Sequence, residues 1–210
     1  WCSWYEYFTS ISDDIIRSNL VELERLGADL PVELFQIDDG YQAALGDWLL
    51  PNAKFPAGVA PLAEAIGRAG FAPGLWLAPF VARPESRLMR DHPDWFVSDA
   101  RGRPRYALYN PLWGALGTAR ALDTTHPAAL EWLAKLFRTI SADWGFRFLK
   151  IDFLYAAALP GRRHDPTRTG AEALRRGLEV IREAVGEHVH VLGCGAPLGP
   201  SVGLVDSMRI

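Results

Sequence analysis

Lys150 and Asp152 stand two residues apart in the apolar run Phe146 to Phe153, FRFLKIDF. Such a run reads as a β-strand, and alternate residues of a strand share a face. The ammonium and the carboxylate therefore point the same way, with Phe148, while Leu149, Ile151 and Phe153 point the other way. A cation beside an acid in a closed site favours the ionised acid and lowers its pKa. An Asp that attacks carbon must do so as an anion, so the pair suits nucleophilic catalysis. A purely structural ion pair is the weaker reading, because burying two charges is costly. Asp38-Asp39-Gly40 supplies a second concentration of charge where the run Leu34 to Asp38 gives way to a loop. Asp-Gly is a common turn. Two adjacent carboxylates can also accept hydrogen bonds from neighbouring sugar hydroxyls, each charge-assisted bond being about twice as strong as a neutral one. Their mutual repulsion needs relief, which Lys150 can supply. No His or further carboxylate stands at ligand spacing from this pair, so a metal is not expected there.

These groups need a scaffold, and the chain alternates helix and strand signals along its length. Ser12-Asp13-Asp14 opens a helix with Ile16, Leu20 and Leu23 on one face and Gly27 at its end. Pro61 to Gly70 follows as a short helix with Leu62 and Ile66 inward. Phe71 to Phe80 (FAPGLWLAPF) is a buried strand. Pro127 starts a helix carrying Leu130, Leu133, Phe137 and Ile140 up to Gly145. The residues Ala171, Leu174, Leu178, Ile181 and Val185 step along another that Gly186 closes. His188 to Cys194 and Leu204 to Ile210 are strands. With Trp1 to Phe8 and Ala119 to Asp123, about seven strands are expected. Helical connections make them parallel, with right-handed crossovers. The fold class is α/β: a partial (β/α)8 TIM barrel over 1–210, incomplete at its C-terminal end, since a whole barrel takes about 250 residues. An open doubly wound sheet would carry a Gly-rich phosphate loop after its first strand, which is lacking. The C-terminal strand ends of a barrel gather its site, and here they read Asp38-Asp39, Trp76, Asp123, Lys150/Asp152, Cys194 and Arg209.

A net charge of −3, with no basic stripe, excludes a nucleic-acid partner. Arg162, Arg163, His164 and Arg168 read as a solvated loop. No apolar run is long enough to span a membrane. Eight tryptophans are many for 210 residues. Most belong to the core, but an exposed indole also suits the C–H face of a sugar. Cys2 and Cys194 have neither metal-ligand spacing nor a disulfide framework. No signal peptide opens the sequence, and Trp1 is not an initiator Met. The sequence is thus expected to begin inside a longer or processed, cytoplasmic protein.

In order along the chain stand QIDDGYQ (Gln36–Gln42), GDWL (Gly46–Leu49), KFPAG (Lys54–Gly58), GLWLAPF (Gly74–Phe80), HPDW (His92–Trp95), LDTTHP (Leu122–Pro127), LKIDF (Leu149–Phe153) and GCGAPLG…VDSMRI (Gly193–Ile210). This series resembles glycoside hydrolase family 36, the α-galactosidases with the raffinose and stachyose synthases. The resemblance implies a retaining enzyme acting on galactoside oligosaccharides, with Asp152 as nucleophile. It implies that Asp38 and Asp39 hold the 4- and 6-hydroxyls, that Lys150 donates to ring hydroxyls and that Trp76 walls the subsite. Cys194 and Arg209 would line the region near the 2-hydroxyl, with Trp48 and Trp4 as further sugar contacts. The family's acid/base is an Asp a few residues beyond the Met-Arg-Ile stretch, so it is expected after Ile210; Asp206 does not match it. An Arg that family members carry before the Leu-Asp strand has Arg120 as its nearest candidate. The resemblance also implies flanking β domains. Transglycosylation, a non-catalytic sugar-binding barrel and an α-N-acetylgalactosaminidase are the rival readings.

Overall fold

The computed structural model of the protein describes residues 1–27, 30–114 and 117–210. Five parallel strands form the main sheet: β1 (Leu34–Ile37), β2 (Ala72–Leu77), β6 (Phe148–Ile151), β7 (His190–Cys194) and β8 (Ser207–Arg209), hydrogen-bonded in that order. The register aligns the interior faces. Gln36, Gly74, Phe148 and His190 share one row, and Trp76, Lys150, Leu192 and Ser207 the next. Gly74 packs closely against β1: an added Cβ would come within 3.2 Å of Gln36 Cα and Cβ. The outward residues Leu75, Leu77, Leu149, Ile151 and Val191 are buried beneath the helices, as parallel sheets require.

Helix α2 (Asp13–Leu26) precedes β1, and α3 (Ala60–Arg68) links β1 to β2. Helix α5 (Pro127–Arg138) leads into β6, α6 (Gly170–Val185) into β7, and the short α7 (Leu198–Ser201) into β8. Their ends follow local chemistry. Ser12 Oγ accepts the Ile15 amide of α2, and Thr169 and Glu172 make a reciprocal capping box on α6. Helix α5 ends in a π-helical turn, Thr139–Asp143, before Gly145 at φ 82° turns the chain into β6. Leu174, Leu178, Ile181 and Val185 of α6 are buried as expected, but Ala171 is exposed and Ala173 is the buried alanine of its first turn.

Two expected strands are different. Trp1 to Phe8 makes a single parallel bridge, Cys2 to Gln36, on the free edge of β1, then coils into α1 (Trp4–Tyr7). Ala119 to Asp123 supplies β5 (Thr118–Ala121), which lies outside the main sheet. It is the centre of a small antiparallel sheet with β3 (Val81–Ala82) and β4 (Tyr106–Tyr109). This sheet and α4 (Arg87–Asp91) form an insertion between β2 and α5, and β2 pairs directly with β6. The architecture is part of a (β/α) barrel, with the antiparallel insertion standing over the C-terminal ends of its strands. Among the described residues, no helix is long and apolar enough to cross a membrane.

Candidate active site

The C-terminal ends of β1, β2, β6, β7 and β8 open into one cavity of about 710 Å³. Asp38, Asp39, Trp76, Lys150, Asp152, Cys194 and Arg209 all line it. Strand parity accounts for Asp38, Trp76, Lys150, Asp152, Cys194 and Arg209, each on the last inward position of its strand or two residues beyond it; Asp39 comes one residue further, in the turn that leaves β1.

Asp38 is 1% exposed, yet carries no uncompensated charge. Its Oδ2 accepts from Lys150 Nζ at 2.8 Å and from Gln36 Nε2 at 2.5 Å, with Cys2 Sγ at 3.6 Å. Ser3 Oγ fixes the Asp38 backbone amide at 2.9 Å. Lys150 thus gives the aspartate pair the relief its charge could supply, and its hydrogen-bonded partner is Asp38 rather than Asp152. Parity decided which face Lys150 uses but not which neighbour its long stem reaches. Burial works to lower the pKa of Lys150, but the charge and hydrogen bond of Asp38, with smaller help from Cys2 and Asp152, leave it raised. Asp39, equally buried, is held by Gln42 Nε2 at 2.6 Å and by the Trp113 indole at 2.8 Å.

Asp152 follows β6, its amide donating to Leu77 O at 2.8 Å and so continuing the parallel ladder by one step. Trp76 Nε1 donates to its Oδ2 at 3.2 Å and the Phe153 amide to its Oδ1 at 2.7 Å. Phe153 pays for that second bond with a left-handed backbone, φ 53° and ψ 35°. Such a conformation costs a non-glycine residue about 1–2 kcal/mol and persists only where the surroundings enforce it. Asp152 is only half-buried, and each of its oxygens keeps a lone pair free for the cavity. Burial, then the nearby Asp152 charge, pushes the Cys194 thiol up to about 11, so it is a neutral wall of the site at ordinary pH.

Other sequence candidates lie elsewhere. Asp123 is buried outside the cavity; its oxygens accept from Thr125 and from the His164 amide, and Arg163 lies 3.7 Å away. Arg163, expected in a solvated loop, is buried, donating to Ala157 O and Leu159 O. Trp48 is 1% exposed and edge-on to Trp76 with ring centroids 5.7 Å apart, so it backs the wall without forming it. Trp4 does line the cavity. Arg120 packs over the Tyr106 ring at 5.8 Å, away from the site. Asp206 pairs with Arg182 at 2.6 Å and also lies outside the cavity. Sequence reasoning missed Asn110, Trp113, Phe153, Tyr155 and the segment Gly195–Pro197, all of which line the cavity. An aromatic in an Asn-Pro turn was the one available signal for Trp113. Among the described residues, no three metal-ligating side chains converge.

The melibiase family profile matches residues 5–181. The chain belongs to the melibiase family. The α-galactosidase TtGalA of Thermus thermophilus, solved with stachyose, superposes with a TM-score of 0.87 at 43% identity, covering all of this chain and 42% of that one. The α-galactosidase AgaA of Geobacillus stearothermophilus is 28% identical over 193 residues, 85% of this chain and 25% of its own length. The A type blood α-D-galactosamine galactosaminidase of Flavonifractor plautii is 33% identical over 162 residues, 74% of this chain and 14% of its own. The melibiase chain described here therefore spans less than half the length of these relatives. Its fold is the barrel of glycoside hydrolase family 36.

Proposed function

We propose that this melibiase domain is the catalytic core of a retaining α-galactosidase that removes terminal α-linked galactose from oligosaccharides. One observation carries the reading: an oriented, half-exposed Asp152 carboxylate shares a single cavity with two buried hydroxyl acceptors and an indole wall. TtGalA, solved with stachyose and with p-nitrophenyl α-D-galactopyranoside at 43–44% identity, supports the substrate class.

In this reading an Asp152 oxygen attacks the anomeric carbon as the bond to the departing oxygen breaks, giving a β-galactosyl ester. Water then attacks the same carbon, the ester bond breaks, and galactose leaves with its configuration retained. Asp38 and Asp39 accept from the 4- and 6-hydroxyls, Lys150 donates to a ring hydroxyl, and Trp76 packs against the sugar's C–H face. Cys194 and Arg209 bound the 2-hydroxyl. Asp38 and Asp39, held as hydroxyl acceptors, do not supply the acid. A further carboxyl, about 5–5.5 Å from Asp152, must protonate the departing oxygen and then activate the water. The family resemblance assigns that role to an Asp just after the Met208-Arg209-Ile210 stretch. Neither a metal nor an organic cofactor takes part in this chemistry. A cytoplasmic location is part of the same proposal.

The test is Asp152→Ala in the full reading frame that encodes this chain. Hydrolysis of an aryl α-galactoside should fall by more than about 10³-fold. Added azide should restore turnover and yield the β-galactosyl azide, because only one displacement then occurs. Unchanged hydrolysis would sink the reading. The Flavonifractor relative favours a second one, in which the substrate carries a 2-amino group; kcat/KM for paired galactosaminide and galactoside substrates decides between them.

A further inference from the structure

Asp38 and Asp39 are equally buried neighbours, but they are neutralised differently. Asp38 has the Lys150 ammonium. Asp39 has no ion pair among the described residues. Lys54, whose charge acts on it, spends its Nζ on Thr9 O at 2.6 Å. Two neutral donors hold the Asp39 anion instead, one on each oxygen: Gln42 Nε2 on Oδ1 and Trp113 Nε1 on Oδ2.

Gln42 belongs to the loop that carries Asp39 itself, whereas Trp113 comes from the antiparallel insertion. It ends the 3-10 turn Pro111–Trp113 between β4 and β5. Asn110 Oδ1 caps that turn on the Leu112 amide at 3.0 Å, and Pro111 fixes its first residue. The indole is 7% exposed, lines the cavity, and stands perpendicular to Phe153 with centroids 5.8 Å apart. It therefore touches the residue beside Asp152 as well as Asp39.

We propose that Trp113 is a positioning residue for sugar recognition, its indole N–H fixing Asp39 as an oriented, hydroxyl-accepting anion and so tying the insertion to the substrate site. The inference rests on the galactosidase reading of the cavity. Asp39 must accept from a sugar hydroxyl, which a protonated carboxyl does poorly and a rotating one does unselectively. Burial raises the pKa of Asp39, Gln42 and Trp113 lower it, Asp38 raises it and Lys54 lowers it. The titratable groups around it are Asp38 beside it, Tyr41 and Lys54 on the loop after β1, Lys150 on β6 and Asp152 just after it. Removing the indole donor leaves Asp38 repulsion and burial opposed by Gln42 and Lys54 alone, so Asp39 holds its proton to higher pH.

Two variants of the full reading frame test this. Trp113→Phe keeps an aromatic ring against Phe153 and removes the N–H. Replacement of Trp113 by benzothienylalanine keeps the bicyclic shape and exchanges only the N–H for sulfur, so it carries the test if the Phe variant does not fold. Both should raise KM for an aryl α-galactoside by about tenfold, the loss expected for one hydrogen bond to a charged group. In both, kcat should stay within about threefold, and the acid limb of kcat/KM should move to higher pH. A purely structural Trp113 would lower the folded fraction without moving that limb. Wild-type KM and an unmoved acid limb in the benzothienyl variant overturn the proposal. Wild-type turnover that does not depend on Asp152 sinks the galactosidase reading instead, and the two failures are distinct.

Discussion

Replacing Lys150 by Met should be among the most destabilising single changes in this domain. The Lys150–Asp38 pair is 2.8 Å long, with side chains 6% and 2% exposed. At that separation the gross attraction is about 6 kcal/mol for an effective dielectric constant near 20. Desolvation offsets much of it in the intact pair. Removing only the cation, however, leaves a buried anion and costs about 3–5 kcal/mol. For a domain of this size, that lowers Tm by on the order of 10 °C. Asp38 then keeps only Gln36, Cys2 and the adjacent, like-charged Asp39. In the wild type, Lys150 is raised above its ordinary 10.5, so its contribution is complete below that pH and is lost only as pH climbs through the raised value. Denaturant unfolding of the wild type, Lys150→Met, Asp38→Asn and the double variant, from pH 5 to 8, gives the coupling directly. A double variant no more stable than Lys150→Met would show that the stranded Asp38 charge is not the source of the loss.

Asp123→Ala should cost about 3–5 kcal/mol, because it strands the buried Arg163, but should leave kcat/KM per folded molecule within about twofold. A selective catalytic loss would return Asp123 to the active site. Gly177→Ala puts a Cβ within 2.8 Å of the Phe80 ring and of Thr124, and overpacking of this kind costs about 1–3 kcal/mol in urea melts. Cys194, raised to about 11, should react with iodoacetamide at pH 8 at least about tenfold more slowly than a free cysteine, and galactose should slow it further. Rapid labelling that galactose does not affect would remove it from the sugar site.

Most of the site could be read from the sequence because a strand has a period of two. Once Asp152 was placed on an inward face, Lys150 and Phe148 had to share it. The same rule carried Trp76, Cys194 and Arg209 to one rim. What parity cannot give is the neighbour across the sheet. Lys150 could serve either Asp152 or the aspartate pair; its stem reaches Asp38 on a strand two places away, while the Trp76 indole and a left-handed Phe153 hold the nucleophile. Asp123 misled because its apolar lead-in has the composition of a barrel strand. Only pairing shows that β5 lies antiparallel between β3 and β4, off the main sheet. Trp1 to Phe8 misled in the same way: a run of aromatics reads as strand, but only Cys2 bridges Gln36 before the chain coils. Trp113 reaches Asp39 across 74 residues, from a turn whose position depends on the whole insertion, and no local pattern encodes that.

The central claim is that Asp152 becomes covalently bonded to the sugar. A fluorinated galactosyl fluoride, whose glycosyl ester hydrolyses slowly, should inactivate the enzyme with one sugar bound per active site. Peptide mass spectrometry should then place the added mass on the peptide containing Asp152. Stoichiometric label on Asp38 or Asp39, or continued turnover with no ester formed, would contradict the account.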